Sequence, residues 1–351
     1  MTGPVSVIER RAWMTDLNRR QMLVGSGAAA MALTVSGRYA LAQDASPVPD
    51  GARLFELPGD SVYPEGIAYD DATGLFYTGS TNNGTLFQGD VNSGEVTILS
   101  EDDPSRSSAV GMALDGAGHL IVAGGGTNSV AVLDVATGQT VATFNGAFDP
   151  AFLNDVAVAP NGDAYITDSM NPVLYRIGAE NIAAGGDLEQ FVDFTGTPFE
   201  YGEPGSFNAN GIDVTDDGAY AVIVNTGAGQ LFRVDLASGD VAEIAIDGEP
   251  VLNGDGLEID GQTLYVMRNA MATVVRLELD ADLTTATQLD TFTDASFAFP
   301  TTMALVDSTR MLVVNAQFDR RQSGDPVLPF TVTLIDIPPV GETPVASPIS
   351  S

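Results

Sequence analysis

The chain reads as an all-β fold, a closed ring of six four-stranded blades, and three observations predict it. A heptapeptide pattern recurs six times, at 64–70, 109–115, 153–159, 209–215, 254–260 and 300–306. Its second positions, 65, 110, 154, 210, 255 and 301, lie 45, 44, 56, 45 and 46 residues apart, and a period near 45 is the length of one four-stranded propeller blade. Short apolar runs with period-two alternation are separated by Gly- and Asp-rich turns, with almost no 3.6-residue periodicity. Together these predict a six-bladed β-propeller over 59–338, rather than a sandwich or separate small β domains.

Each blade can be read in order. An apolar inner strand is followed by a tight turn such as Asp70-Asp71-Ala72-Thr73-Gly74. A second apolar strand follows, as in Leu75-Phe76-Tyr77, Leu120-Ile121-Val122 and Leu264-Tyr265-Val266, and then a third that alternates, as in Val130-Ala131-Val132-Leu133. The 56-residue repeat has room for insertions, expected at 178–187 on the outer edge and at 196–207 near the channel mouth. The last repeat has three strands, at 301–306, 311–316 and 329–337. Arg53-Leu54-Phe55-Glu56-Leu57, within a linker segment 43–58, can supply the fourth and close the ring without an open sheet edge.

Composition removes whole classes of chemistry. There is no Cys, hence no thiolate nucleophile, disulfide or sulfur-ligated metal. All 14 basic residues are Arg, which excludes Schiff-base lysines and the phosphate-binding P-loop lysine. His119 is the single histidine, so a His-rich zinc site is excluded. The net charge of −33 disfavours nucleic acid and anionic membrane as partners. In residues 1–42, five arginines against Glu9 and Asp16 leave a net +3, so the remainder carries −36. Asn18-Arg19-Arg20-Gln21-Met22-Leu23 precedes an Ala- and Gly-rich apolar run, and Ala40-Leu41-Ala42 offers a cleavage site. Residues 1–42 therefore read as a twin-arginine export signal, too short in its apolar run for a stable membrane anchor. Residues 339–351 read as a flexible tail.

The second positions of the six repeats are Glu65, Val110, Asn154, Asn210, Asp255 and Thr301. A closed ring brings equivalent positions together near one axis at one height, so two carboxylates and two amide carbonyls converge on a cation site in the central channel. Ligands that are all oxygen select a hard dication, Ca²⁺ first and then Mg²⁺ or Mn²⁺. Four ligands leave a calcium ion positions for water or substrate. Tyr63, Phe152, Phe207 and Phe299 lie just before inner strands, where they form an aromatic rim for substrate or else pack between blades. His119, at an outer turn, reads as structural, and Asp168 reads either as a channel residue or as a turn cap.

This pattern resembles the senescence marker protein/gluconolactonase family of six-bladed propellers, which includes regucalcin and the luciferin-regenerating enzymes. The resemblance rests on Pro64-Glu65-Gly66, Asn154-Asp155, Asn210-Gly211 and Asp255-Gly256, and covers roughly 59–338. It implies metal ligation by Glu65, Asn154, Asn210 and Asp255, hydrolysis of lactones or related esters, and Asp255 as general base or nucleophile. Asp155 is then expected to orient the ligands from behind. Where several sugar-lactonase members carry a substrate-binding Arg two residues before the Asn-Asp pair, this chain has Phe152, which points to a less polar lactone or ester. The expectation is thus an exported, divalent-metal-dependent lactonase or esterase acting on a small molecule. The alternative is a non-catalytic extracytoplasmic binding propeller that uses calcium only to pin its blades.

Overall fold

The structure, a computed structural model, describes residues 52–101 and 103–341; the export signal expected over 1–42 and the tail from 342 onward lie outside them. Strand β1 (Arg53–Leu57) comes first. An antiparallel meander follows: β2 (Pro64–Asp70), β3 (Leu75–Ser80), β4 (Leu86–Asp90) and β5 (Val96–Ser100). The next comprises β6 (Met112–Leu114), β7 (His119–Ala123), β8 (Ser129–Asp134) and β9 (Gln139–Asn145). Then come β10 (Leu153–Val158), β11 (Ala164–Asp168), β12 (Val173–Ile177), the two-residue β13 (Gly186–Asp187) and β14 (Glu189–Asp193). They are followed by β15 (Ala209–Val214), β16 (Tyr220–Asn225), β17 (Gln230–Asp235) and β18 (Val241–Asp247), then by β19 (Gly254–Asp260), β20 (Thr263–Arg268), β21 (Thr273–Leu279) and β22 (Thr285–Phe292). The final strands are β23 (Pro300–Asp307), β24 (Arg310–Asn315) and β25 (Phe330–Asp336).

The innermost strands β2, β6, β10, β15, β19 and β23 neighbour one another in a closed cycle, with β23 returning to β2. The chain is an all-β propeller. Its turns follow from their sequence: in the first, Asp70 accepts from the Ala72 amide (3.0 Å) and the Thr73 hydroxyl (2.7 Å), while Gly74 at φ 76° donates its amide to Asp70 O. That left-handed conformation is one a Cβ would disfavour.

Hydrogen bonding among the described residues groups the strands into five sheets, not the six separate ones expected. The reason lies at an outer edge. β18 pairs in parallel with β22, Ala245 opposite Thr285 and Asp247 opposite Thr287, so two meanders fuse into one eight-stranded sheet. Likewise β13, in the 178–187 insertion, pairs in parallel with β9 and covers the open edge of the preceding meander. β1 pairs antiparallel with β25, Arg53 opposite Leu334 and Leu57 opposite Phe330, and is the fourth strand of the last sheet.

The apolar core is divided into clusters, each lying between neighbouring meanders. The one that joins the chain's first and last sheets holds Phe55, Phe76, Val314 and Phe330. Phe55 is fully buried and meets Phe76 edge-on at 5.0 Å between ring centroids. Burying an aromatic ring of this kind contributes roughly 1.5–3 kcal/mol. The seam between first and last strands is therefore held by packing as well as by the β1–β25 ladder.

Candidate metal centre and channel mouth

Five of the six inner strands, all but β6, share an irregularity at the pattern's second and third positions. In β2, Pro64 pairs with Ser80 and Ile67 with Thr78, so the register slips across Glu65 and Gly66. The same slip spans Asn154-Asp155 in β10, Asn210-Gly211 in β15, Asp255-Gly256 in β19 and Thr301-Thr302 in β23. A bulge of this kind bends a strand and re-aims a side chain. Gly at the third position has a steric cause. A Cβ on Gly66 would run into the Val110 carbonyl, and one on Gly211 into the Asp255 carbonyl. Each inner strand is thus pressed against the backbone of the next. The Thr301 hydroxyl donates to Glu65 O (2.8 Å), the Gly111 amide to Asn154 O (2.8 Å) and the Thr167 hydroxyl to Asn210 O (2.8 Å).

Glu65, Asn154, Asn210 and Asp255 are all buried, at 6%, 3%, 7% and 5% exposure. Their partners leave acceptors free. The Asn154 carboxamide nitrogen donates to Ser169 Oγ (2.8 Å), and that hydroxyl donates on to Ala209 O (2.6 Å). Asn154 Oδ1 is left buried without a partner, and so is Glu65 Oε2. Asp255 Oδ2 accepts from Asn269 Nδ2 (2.6 Å). Burial, and then the nearby Asp255 and Asp155, push the Glu65 carboxyl well above the usual range. Burial raises Asp255 to about 7 against the opposing hydrogen bonds of Asn269 and Asn210. Glu65 and Asp255 therefore lie within electrostatic reach of each other, with Asn210 on the Asp255 side. Buried oxygens without donors, beside two mutually repelling carboxyls, fit a divalent cation. Among the described residues no three Asp, Glu or His side chains gather into a metal site alone, so the set depends on its carboxamides.

Further carboxylates stand along the same inner strands. Asp155 accepts from the amides of Val156 (2.9 Å) and Ile212 (3.3 Å). Asp213 accepts from Val214 (2.7 Å) and Ile259 (2.7 Å), and Glu258 from Leu305 (3.2 Å). Each therefore ties its own inner strand to the next. Burial lifts Asp155 and Asp213 to about 7 and Glu258 well above its ordinary value. Sequence reasoning missed Asp213 and Glu258. A charged residue set between Ile212 and Val214, or between Leu257 and Ile259, was the available signal.

The rim residues separate. Phe152, half-buried, and Phe207, exposed, meet edge-on at 4.8 Å at the mouth. Phe299 (φ 51°) faces Phe318 at 6.1 Å, on the short helix α1 (Phe318–Arg321). Tyr63 is not on the rim. It is 4% exposed, with its ring against Phe330 (4.9 Å) and under the Arg321 guanidinium (5.3 Å). Asp168 is a cap: it accepts from the amides of Phe152, Met170 and Asn171. His119 Nδ1 pairs with Asp115 (2.6 Å) at an outer turn. A separate hollow of about 670 Å³ opens between the outer strands β5 and β9. Its polar groups are engaged with one another, Thr140 with Asp103 and Ser100 with Arg106, and it is remote from the channel.

The model of the beta-propeller repeat family matches residues 50–87. No curated protein matches the chain in sequence. Among solved structures, the allergen Mala s 1 of Malassezia sympodialis superposes with a TM-score of 0.62 at 14% identity, covering 83% of this chain and 96% of its own. A calcium-binding regucalcin from Agrobacterium tumefaciens superposes with a TM-score of 0.54 at 18% identity, over 78% and 90%. A protein described provisionally as a gluconolactonase gives 0.55 at 14% identity, over 82% and 93%. The structural neighbours thus include regucalcin- and gluconolactonase-type propellers, and the likeness is one of fold.

Proposed function

We propose that this chain is a six-bladed propeller, the eight-stranded sheet counting as two blades, that hydrolyses a lactone or related ester with the help of a bound divalent cation. One observation carries the reading. Glu65 Oε2 and Asn154 Oδ1 are buried without partners, and Glu65 lies within electrostatic reach of Asp255; the three stand at the bulged, mouth-side ends of alternate inner strands, β2, β10 and β19. The ligand pattern's resemblance to gluconolactonases, and the neighbours of that type, supply the reaction class; a shared fold alone would not.

Glu65, Asn154, Asn210 and Asp255 would hold the ion, Ca²⁺ before Mg²⁺ or Mn²⁺. When bound, it would polarise the substrate carbonyl and offset the negative charge that develops there. The protein's own contribution is orientation. Ser169 fixes the Asn154 carboxamide so that its oxygen, not its nitrogen, is left free. Asn269 holds Asp255 Oδ2. Asp255 takes the proton of a water that attacks the carbonyl as the acyl C–O bond breaks, or attacks the carbonyl itself, expelling the alcohol oxygen and forming a mixed anhydride that water then hydrolyses. Phe152 and Phe207 screen the mouth from water.

Export through the twin-arginine route, a small-molecule substrate, and the absence of nucleic-acid partners and of stable membrane insertion complete the reading. Among the described residues no helix is long and apolar enough to cross a membrane. A second reading, a binding propeller that uses calcium only to pin its blades, is favoured by the strand-to-strand hydrogen bonds that surround the ligands.

Calorimetric titration of the purified protein with calcium tests the site: one saturable event, lost in Glu65→Gln, is expected. Asp255→Asn then separates the two readings. It should abolish turnover of aryl esters and lactones under the hydrolase reading, and normal turnover by that variant would refute Asp255's role.

A further inference from the structure

The loops at the mouth carry an apolar arc that the cation site does not use. Phe148, Phe207, Leu252, Met271, Val327 and Leu328 are each more than a third exposed. All six lie in connections on one face, either leading into an inner strand or following a second strand. This is the face at which the ligand-bearing bulges lie. Phe207 is three residues before Asn210, and Leu252 three before Asp255. The other large apolar side chains exposed among the described residues are elsewhere: Leu54, Ile98 and Val141 on outer strands, and Val340 after β25.

The arc is one-sided. It follows the loops from the β9–β10 connection round to the β24–β25 connection. The remaining part of the mouth, over the first two meanders, is formed by Thr81-Asn82-Asn83-Gly84 and Gly124-Gly125-Gly126-Thr127-Asn128. Charge narrows the occupant further. Asp149, Glu203, Glu249, Asp319 and Asp325 flank the arc in the same loops, and they repel an anionic chain. Of the arginines there, Arg268 Nε donates to Leu252 O (2.9 Å) and Arg321 reaches Thr81 Oγ1 (3.2 Å), which leaves Arg320 outnumbered by the five carboxylates.

Building on the hydrolase reading above, we propose that the substrate carries an uncharged, unbranched hydrocarbon tail of several carbons. The tail lies against the part of the arc beside Phe152, at Phe207, while the ester or lactone head enters the channel. Phe152, standing edge-on to Phe207, joins the channel mouth to that part of the arc. An amphipathic mouth of this shape selects against a polyhydroxylated ring, whose hydroxyls would lose water against phenyl rings and Leu252 without gaining partners.

The test is a series of saturated γ-lactones with alkyl tails from two to eight carbons, each kept below its micelle-forming concentration. A fully buried methylene is worth ~0.8 kcal/mol, and half of that on an open surface is about a twofold gain per carbon. In the parent, kcat/KM should therefore rise about twofold for each methylene. Phe207→Ser should flatten that dependence, while Ile98→Ser, on an outer strand, should keep it. Turnover that is independent of tail length, or a slope unchanged by Phe207→Ser, would overturn the proposal. If neither these lactones nor aryl esters are turned over at all, the hydrolase reading fails, and calorimetry with 1-alkanols from butanol to octanol then decides the tail site alone. Affinity that climbs with length and drops in Phe207→Ser upholds it; length-independent affinity rejects it.

Discussion

Asn154 and Asp255, two of the four proposed ligands, do not stand alone. Each has one side-chain atom held by a neighbour from the adjoining second strand or the turn after it, Ser169 for Asn154 and Asn269 for Asp255. Groups that orient ligands in this way commonly matter by 10–100-fold. Ser169→Ala should weaken calcium affinity within that range, because the freed carboxamide can turn its nitrogen toward the channel. Asn269→Ala should lower kcat more than KM. Calorimetry and steady-state kinetics on the two variants check both, and unchanged values would reduce these contacts to packing. The four proposed ligands could be picked out of the sequence because a repeat places equivalent residues in register. Ser169 and Asn269 were not, since the ends of second strands differ from repeat to repeat and single polar residues there read as turns. Tyr63 misleads because its ring is taken up by packing: it lies against Phe330 and under Arg321, in the cluster between the first and last sheets.

At the scale of strands, the bulges are what turn a propeller's inner wall into a site, and nothing in an alternating pattern announces them beyond a Gly after the ligand. The sheet fusion through β18 and β22 was equally hidden, because Ala245-Ile246-Asp247 and Thr285-Ala286-Thr287 look like ordinary outer edges. Strand-to-strand ties by Asp213 and Glu258 make a pH prediction. Folding holds the Asp213 carboxyl at about 7 against an ordinary value of 3.8, chiefly by burial. The folded state therefore favours its protonated form. The associated stability is fully present below about pH 4 and is lost as pH rises toward 7. Asp213→Asn keeps an acceptor for the Ile259 amide but cannot ionise. Between pH 4 and 7 the variant should lose less stability than the parent, as read from urea midpoints at a series of pH values. Equal losses would mean that Asp213 ionises as freely in the fold as in the unfolded chain.

For the whole molecule, a chain with a net charge of −33 and no lysine gathers carboxyls along its central channel, and a cation there should stabilise the ring. Calcium at a hundredfold its dissociation constant adds ~2.7 kcal/mol, which for a domain of this size raises Tm by roughly 5 °C. Scanning calorimetry with calcium and with a chelator should show that difference, and coincident curves would remove the ion from the fold's stability. The closure of the last sheet has a consequence for how the molecule can be presented. Because Leu57 and Phe330 lie toward the mouth while Arg53 and Leu334 pair at the opposite end of the ladder, the described chain enters the propeller and leaves it on the rear face. A tether attached through either segment pulls on the rear face of the ring and leaves the mouth turned toward whatever lies in front.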